Sequence, residues 1–590
     1  MHIGTFAGYA RRLEETSSRT VLVAVLAELF AAAMPDEVAP ATYLLQGRVA
    51  PAFVPLELGM GVVLVTEAVA RAFHTEPALV RERFDRVGDV GIVAAQLAEE
   101  AGRDPAAEAT PPVRTVVERL HAIAEASGSG SAARKVTLLA EVLTPLDPAS
   151  AAFVSRLPLG TLRLGIGDPT ILDAYSVTAG GNRSLRPRLE RAYNETSDLG
   201  LIGRTLWERG IDAVDVLGIR VGNPVRPALA ERLPSAEAIL AQLGPCAVES
   251  KYDAFRCQVP KDGAAVRIYS RSLEELTDAF PEIARGVTTQ IAAQTAIIEG
   301  EALAYYPASD EYLPFQQTMR RRRKHGVAEA AATLPLRLFA FDVLYADGER
   351  VAERPYAARH ALLGRLIHAG ETIQVAQSRT VGTAEELMTV FDAAIGAGLE
   401  GIVAKKLAAP YQAGARNDTW VKLKRAQAGH LRDTVDGVVI GYLYGRGRRA
   451  ALSVGALLVA VYDPARDVFA SLSKIGTGLT DAEWQAVRQR CAPFVSAHRP
   501  ARVESSIRPS VWVEPRVVIA VLADEITRSP IHAAGRGEGT EGYALRFPRL
   551  VRFRDADKRP EDATMVAEIS VLYQQQGGTP ATRTARTAAS

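Results

Sequence analysis

Through residues 1–215, apolar and charged positions alternate with a period near 3.6, and β-branched alternating runs are rare. This pattern predicts a helical bundle. Val93 to Ala101 and Val113 to Ala126 are its clearest stretches, with Ser127 to Ser131 as a turn or N-cap between helices. Thr16-Ser17-Ser18 can cap a helix over the apolar run Val21 to Met34. That run contains Glu28 and is too short to span a bilayer, so it reads as a buried helix.

The texture changes at Pro224, Pro227 and Pro234. Beyond Cys246, short alternating runs predict strands at 257–259, 265–269, 296–298 and 336–344, with a helix over Ala384 to Ala397. This part is α+β. A second change falls at Gln427 to Asp433. After it, runs at 437–442, 453–462 and 511–522, separated by Gly turns and one helix at 481–490, predict a small barrel. Residues 577–590 are rich in Thr, Ala, Arg and Gly and read as a disordered tail. No internal repeat is visible.

Composition narrows the class. The 590 residues carry 69 Lys+Arg against 68 Asp+Glu, a net charge of +1, with 48% hydrophobic and 23% charged residues. These are globular values, which exclude a wholly disordered or collagen-like chain. The even balance excludes a polybasic coat but leaves room for local patches. Cys246, Cys257 and Cys491 form no CxxC pair, so neither a zinc finger nor a disulfide framework is expected. Glu14 and Glu15 stand where a secretory leader would be basic, so a reducing cytoplasm is the expected setting.

Candidate chemistry begins at Glu249-Ser-Lys251-Tyr-Asp253-Ala254-Phe-Arg256. A lysine among acids also describes a surface salt bridge. In Trp420-Val-Lys422-Leu-Lys424, residues two apart share a strand face, giving one cationic and one apolar side. That face is either solvated or a phosphate clamp. Glu299-Gly300-Glu301 and Glu400-Gly401-Ile-Val-Ala-Lys405 place carboxylates at strand ends. Such oxygens suit Mg²⁺, or are edge acids facing water. Phe341, in Phe-Asp-Val-Leu-Tyr345, is either core or a surface for stacking a base.

The order of these motifs, with Ser270-Arg271 between the first and second, resembles that of the covalent nucleotidyltransferases, and within them the ATP-dependent DNA ligases. Flanking segments extend the likeness to about Gln576. Phe153 to Gly167 and Ala192 to Gly200 look like the helical DNA-binding domain of the archaeal and eukaryotic-type enzymes. Pro224 to Pro234 looks like the entrance to their adenylation domain, and Leu545 to Arg549 with Arg552 to Lys558 like the end of their OB domain. The resemblance implies a helical DNA-binding domain over 1–215, an α+β nucleotidyltransferase domain over 216–428, a β-barrel OB-fold domain over 429–576 and the tail at 577–590.

It also implies roles. Lys251 would attack the α-phosphate of ATP. Glu249 would contact adenine with Phe341 stacked on it, and Arg256 and Arg271 would hold ribose and phosphate. Glu301 would meet the ribose or Mg²⁺, Glu400 would meet Mg²⁺, and Lys422 and Lys424 would grip the α-phosphate. A free lysine titrates near ~10.4, and neighbouring cations and partial burial favour the neutral nucleophile. The last motif is one residue longer than usual, leaving Arg554, Asp557 and Lys558 open by one register, with Lys558 the candidate for pyrophosphate. Ala254 stands where the family usually has Gly.

The implied partner is nicked duplex DNA, read through backbone and shape rather than sequence. Gly160, Arg163, Gly165 and Gly167 would approach phosphates in the minor groove, and the run Arg320, Arg321, Arg322 and Arg323 would add salt-sensitive contacts. A monomer closing round DNA, with no membrane contact, is the expected state. Any sliding-clamp partner is invisible in the sequence. An RNA ligase or capping-type enzyme fits the flanking motifs less well. A silent DNA-binding scaffold, prompted by Ala254, predicts nick binding without self-adenylylation. A helical-repeat interaction protein explains only the first third.

Overall fold

The computed structural model describes residues 1–590 apart from 104–109, 253, 308–310, 314–317, 324, 398, 415, 425–433, 446–453, 477–478, 538–539, 555–557 and 577–590. Asp253, Asp557, the segment 427–433 and the tail lie outside the described residues. The chain forms two compact units, Met1–Arg83 with Val90–Arg425, and Phe84–Asp89 with Ala426–Ser590.

Helices, from Ile3–Glu14 to Ile211–Asp215, make up the regular structure of the described residues up to 215 apart from isolated bridges. The expected helix at 21–34 runs Arg19–Ala32 and buries Leu22, Val25, Leu26, Leu29 and Phe30, one stripe at helical spacing. It ends before Met34 because Pro35 opens the next helix, where its missing N–H costs nothing. Ser18 is the N-cap, but its side chain makes no capping bond. Further along, Asp147 and Asp198 do cap their helices through backbone N–H groups.

Two sheets follow. The first has the order Leu229–Arg232, Arg416–Lys424, Gly401–Lys406, Cys246–Lys251, Ser378–Val381. One face is apolar: Cys246, Val248, Ile402, Ala404, Val421 and Leu423 form a core with helices Ala236–Leu243 and Ala384–Gly396. The second helix starts with a Thr383–Glu386 capping box. The alternation leaves the opposite face to polar side chains.

The second sheet has the central order Phe255–Asp262, Thr295–Tyr306, Leu336–Ala346, Ile373–Val375. One face, with Cys257, Val259, Ile298, Leu338 and Val343, packs on the helix Pro281–Gln290. The other contributes Ile297, Phe339 and Phe341 to a cluster shared with Tyr411 and Trp420, next to and within the first sheet. The strand expected at 265–269 is split into Ala265–Val266 and Tyr269–Ser270. The Ile268 N–H donates to Thr277 Oγ1 (3.0 Å) and so leaves the ladder.

Within the same unit the helical region joins these sheets at several points, two of which bear on the site. Phe53 packs edge-on against Tyr269 in a small buried cluster with Leu273. Arg226 pairs with Asp168 (3.2 Å) and lies over the Tyr193 ring.

The second unit is strand-rich. A curled seven-stranded sheet runs Val495–Ser496, Val511–Leu522, Val435–Leu443, Ala456–Asp463, Val468–Ile475, Val503–Glu504, with Arg549–Phe553 on the Val511–Leu522 strand. Glu525–Ser529 and Gly542–Arg546 form a separate ribbon. The helix Asp481–Cys491 opens with a Thr480–Glu483 capping box and buries Trp484 in the core. Among the described residues, no helix is long and apolar enough to cross a membrane.

Candidate active site

Strand register builds the site on the polar face of the first sheet. Gly401 is paired with Lys251 on one side and Lys424 on the other. One step along, Val403 is paired with Glu249 and Lys422. One step further, Lys405 is paired with Ala247 and Trp420. Opposed residues share a face, and so do residues two apart. Lys251, Glu249, Lys405, Lys422 and Trp420 therefore stand on one surface, drawn from three strands; the Lys424 side chain lies outside the described residues, and its backbone register places it in the row of Lys251. Gly401, with no side chain, separates the two lysine positions of its row.

Charge is distributed by pairing. Lys251 forms an ion pair with Glu400, both side chains about one quarter exposed. The Glu400 N–H also donates to the Lys251 carbonyl (3.2 Å). Lys422 Nζ donates to the Ala230 carbonyl (3.1 Å), which ties it to the strand leading in from the helical region.

The structure adds two residues that the motifs alone do not assign. Lys405, 1% exposed, bridges both carboxylate oxygens of Glu249 (2.7 and 2.9 Å). Its ammonium lies 4.4–4.8 Å from the ring centroids of Trp420, Phe341 and Tyr356. Cation–π attraction compensates part of the cost of burying that charge. Tyr356 donates its hydroxyl to Glu249. Burial, then the neighbouring Glu249 carboxylate, holds that hydroxyl far above the ordinary tyrosine range, so it remains a donor. Lys405 closes the Glu400-to-Lys405 motif; a lysine two residues from an apolar strand centre is the signal that could have found it. Tyr356 carries none.

On the second sheet, Arg256 and Gln258 oppose Glu301 and Glu299. Arg256 pairs with the fully buried Glu299 (2.9 Å) and donates to the Ala228 carbonyl (2.6 Å). Tyr411 and Gln258 complete the Glu299 shell (2.8 and 3.0 Å). Phe341 is 8% exposed in the shared cluster, with Arg256 5.4 Å from its centroid. Tyr252, next to the nucleophile candidate, stacks on Phe339 at 4.7 Å, and burial, with Glu249 and Tyr312 nearby, pushes its hydroxyl up to about 12. The Ala254 methyl packs on the same cluster, so it is accommodated.

The remaining candidates are spread out. Arg271 is exposed and lines a cleft of about 320 Å³ with Arg48, Asp168 and Arg226. Gly160 and Gly165 adopt φ of +61° and +67°, values that favour glycine. With Gly167 they line a second cleft of about 330 Å³. Beyond its own chain neighbours, nothing lies within 4 Å of where a Gly160 Cβ would stand among the described residues. Arg163 is half-buried beside this loop. In the arginine run, Arg320 and Arg323 are exposed and Arg322 pairs with Glu274. Arg321 is turned inward: it is fully buried and pairs with Glu282 (2.6 Å). That corrects the expectation of four outward cations, because position 321 faces the core under the loop. In the second unit, Lys558 and Arg554 both pair with Asp436.

Among the described residues, no group of three or more His, Cys, Asp or Glu side chains could hold a metal by itself. Glu301 and Glu400 still fit Mg²⁺, which takes one or two carboxylates plus substrate phosphates and keeps several waters.

A lysine and a glutamate two apart on one strand, lysines on the next strands and an aromatic cluster beneath are the layout of a covalent nucleotidyltransferase. Residues 3–176 match the DNA ligase N terminus, 227–424 the ATP dependent DNA ligase domain and 450–558 the ATP dependent DNA ligase C terminal region. The chain is 45% identical over 580 residues to a probable DNA ligase of Dictyoglomus thermophilum, covering 98% of each. It is 38% identical to a DNA ligase of Hyperthermus butylicus, again covering 98% of each. The solved structure Pmar-Lig_Pre shares the fold at 16% identity, with a TM-score of 0.52 over 93% of this chain and 99% of that one. The chain belongs to the ATP-dependent DNA ligases. It is an enzyme that forms phosphodiester bonds and uses ATP, and nick sealing is the general activity of its family.

Proposed function

We propose that this chain seals nicks in duplex DNA through a lysyl-AMP formed on Lys251. The observation that carries the assignment is the register Lys251–Gly401–Lys424 beside Glu249–Val403–Lys422. It sets one amine among cations suited to an α-phosphate, next to a carboxylate suited to adenine. Lys251 Nζ, as the free amine, forms a bond to the α-phosphorus while the bond to the bridging oxygen of pyrophosphate breaks. The 5′-phosphate at the nick then displaces the lysine, and the 3′-hydroxyl displaces AMP.

Lys422 and Lys424 neutralise the α-phosphate as its bonding changes. Glu249 accepts from the adenine amino group, and Phe341 supplies the stacking face at the edge of its cluster. Arg256 and Arg271 hold the ribose and phosphate side. Glu301 and Glu400 would hold Mg²⁺, and Glu301 also reaches the ribose. A bound Mg²⁺ supplies charge neutralisation at the phosphates. Lys558 meets pyrophosphate. On DNA, the Gly160, Gly165 and Gly167 loop with Arg163 tracks the backbone, joined by Arg320, Arg322 and Arg323. Three domains at 1–215, 216–428 and 429–576, a monomeric state and a cytoplasmic setting complete this reading.

The test is incubation with α-labelled ATP and Mg²⁺, without DNA, beside Lys251→Ala. Label kept through denaturation by the native chain and lost from the variant is expected. An unlabelled native chain, shown beforehand not to be adenylylated already, would leave a DNA-binding scaffold as the better reading.

A further inference from the structure

Asp436 is the second residue of the Val435–Leu443 strand and is 5% exposed. One of its oxygens, Oδ2, accepts from both Arg554 Nη1 (3.0 Å) and Lys558 Nζ (2.5 Å). The carboxylate is itself held in place. The Asp436 N–H donates to Thr564 Oγ1 (2.9 Å), and the Thr564 N–H donates to the Asp436 carbonyl (3.0 Å). The two cations are also fixed by backbone: the Arg554 N–H donates to the Val518 carbonyl (2.7 Å) and the Lys558 N–H to the Arg554 carbonyl (2.8 Å). In register, Asp436 opposes Ala520, which opposes Arg552 on the third strand.

Exposure is graded across this triad. The carboxylate side chain is 7% exposed, Arg554 19% and Lys558 30%. The anion is the buried anchor, and the cations open outward. Two cations sharing one oxygen would repel and spread without it, since like charges a few ångströms apart are only partly screened near a protein surface. The triad carries a net charge of +1 and presents two adjacent donors, an arrangement suited to a polyphosphate that brings more than one anionic oxygen.

We infer that Asp436 is a positioning residue for the first chemical step, joining Arg554 and Lys558 into one two-cation grip for the departing pyrophosphate. The inference rests on the proposed contact between Lys558 and pyrophosphate and adds Arg554 and the shared anchor to it. Asp436 itself touches no substrate. Its loss leaves ATP capture on the first unit intact but misorients the leaving group. The two later steps release no pyrophosphate and do not use the grip.

Two reactions separate these roles: single-turnover adenylylation with α-labelled ATP, and sealing of a nick whose 5′ end is already adenylylated, without ATP. Asp436→Asn is expected to slow adenylylation about tenfold or more, with half-saturation by ATP unchanged within about twofold. The same preparation is expected to seal pre-adenylylated nicks within about twofold of the native rate, which a folding defect would not allow. Asp436→Glu is expected to recover part of the loss, and Asp436→Asn to slow the Lys558→Met protein by less than it slows the native one, since only Arg554 is then left to misplace. Native-rate adenylylation by Asp436→Asn beside a slow Lys558→Met overturns the inference and leaves the pyrophosphate contact standing. Native-rate adenylylation by Lys558→Met overturns both. Equal slowing of both reactions by Asp436→Asn overturns the positioning role in favour of a purely structural one.

Discussion

Lys251 and Glu400 hold each other twice, through an ion pair between side chains and through the Glu400 N–H on the Lys251 carbonyl. The amine proposed as nucleophile therefore rests on the carboxylate proposed for Mg²⁺. An amine so paired is anchored but occupied, and a cation arriving at Glu400 competes for the same oxygens.

Glu400→Gln separates two opposing effects. Releasing Lys251 from a partly exposed pair is worth about 0–1 kcal/mol. Losing a metal carboxylate costs several kcal/mol of charge stabilisation at the phosphates. The second is larger, so adenylylation should fall about a hundredfold. The Mg²⁺ concentration for half-maximal rate should rise. A titration of Mg²⁺ against initial labelling rate checks this, and a faster variant would show that Glu400 restrains Lys251 instead.

Lys405→Met should leave Glu249 as a buried carboxylate whose remaining side-chain partner among the described residues is the Tyr356 hydroxyl. Removing one member of a buried pair costs about 3–5 kcal/mol, mostly through the charge left behind. Glu249 should then lose its fixed orientation, raise KM for ATP about tenfold and discriminate poorly between adenine and hypoxanthine nucleotides. Labelling with ATP against inosine triphosphate measures this. Unchanged selectivity would remove Glu249 from base recognition.

The class was legible in the order of the motifs, which resembles that of the DNA ligases, and part of the candidate site's layout because strand alternation is local. Trp420, Lys422 and Lys424 declare one face from their spacing alone, and the structure carries that face across Lys251 and Glu249 by register. What the spacing does not encode is which cation turns inward. Lys405 and Arg321 look like their solvated neighbours in sequence, yet each is buried against a carboxylate more than 35 residues away, Glu249 and Glu282. Such pairs depend on tertiary placement. Likewise, 265–269 has the alternation of one strand, but Thr277 supplies a competing acceptor that no window over the run contains.

The arginine run divides along the same line. Arg321→Ala should destabilise the chain by about 3–5 kcal/mol, because Glu282 loses its buried partner. It should not change the salt dependence of nick binding. Arg320→Ala and Arg323→Ala should leave stability nearly untouched and each flatten the slope of log K against log salt by about 1 for a lost phosphate contact. Thermal melts and binding isotherms at several salt concentrations separate the two classes. A flattened slope for Arg321→Ala would contradict its inward placement.

Stability of the second unit should fall in mild acid because of His532. The side chain is 5% exposed, and burial, with Lys474 and Arg536 nearby, pushes it down to about 4. The unfolded chain protonates this ring near ~6.5, so between those values the unfolded state binds more protons. The contribution is therefore complete above pH ~6.5 and is lost as pH falls toward 4. It amounts to roughly 3 kcal/mol at most, since each pH step of one between the two values contributes about 1.4 kcal/mol. Melting curves from pH 7.5 to 4.5 should show a decline that is shallower in His532→Gln, which cannot take up the proton. Equal declines in both proteins would assign the acid sensitivity to groups other than His532.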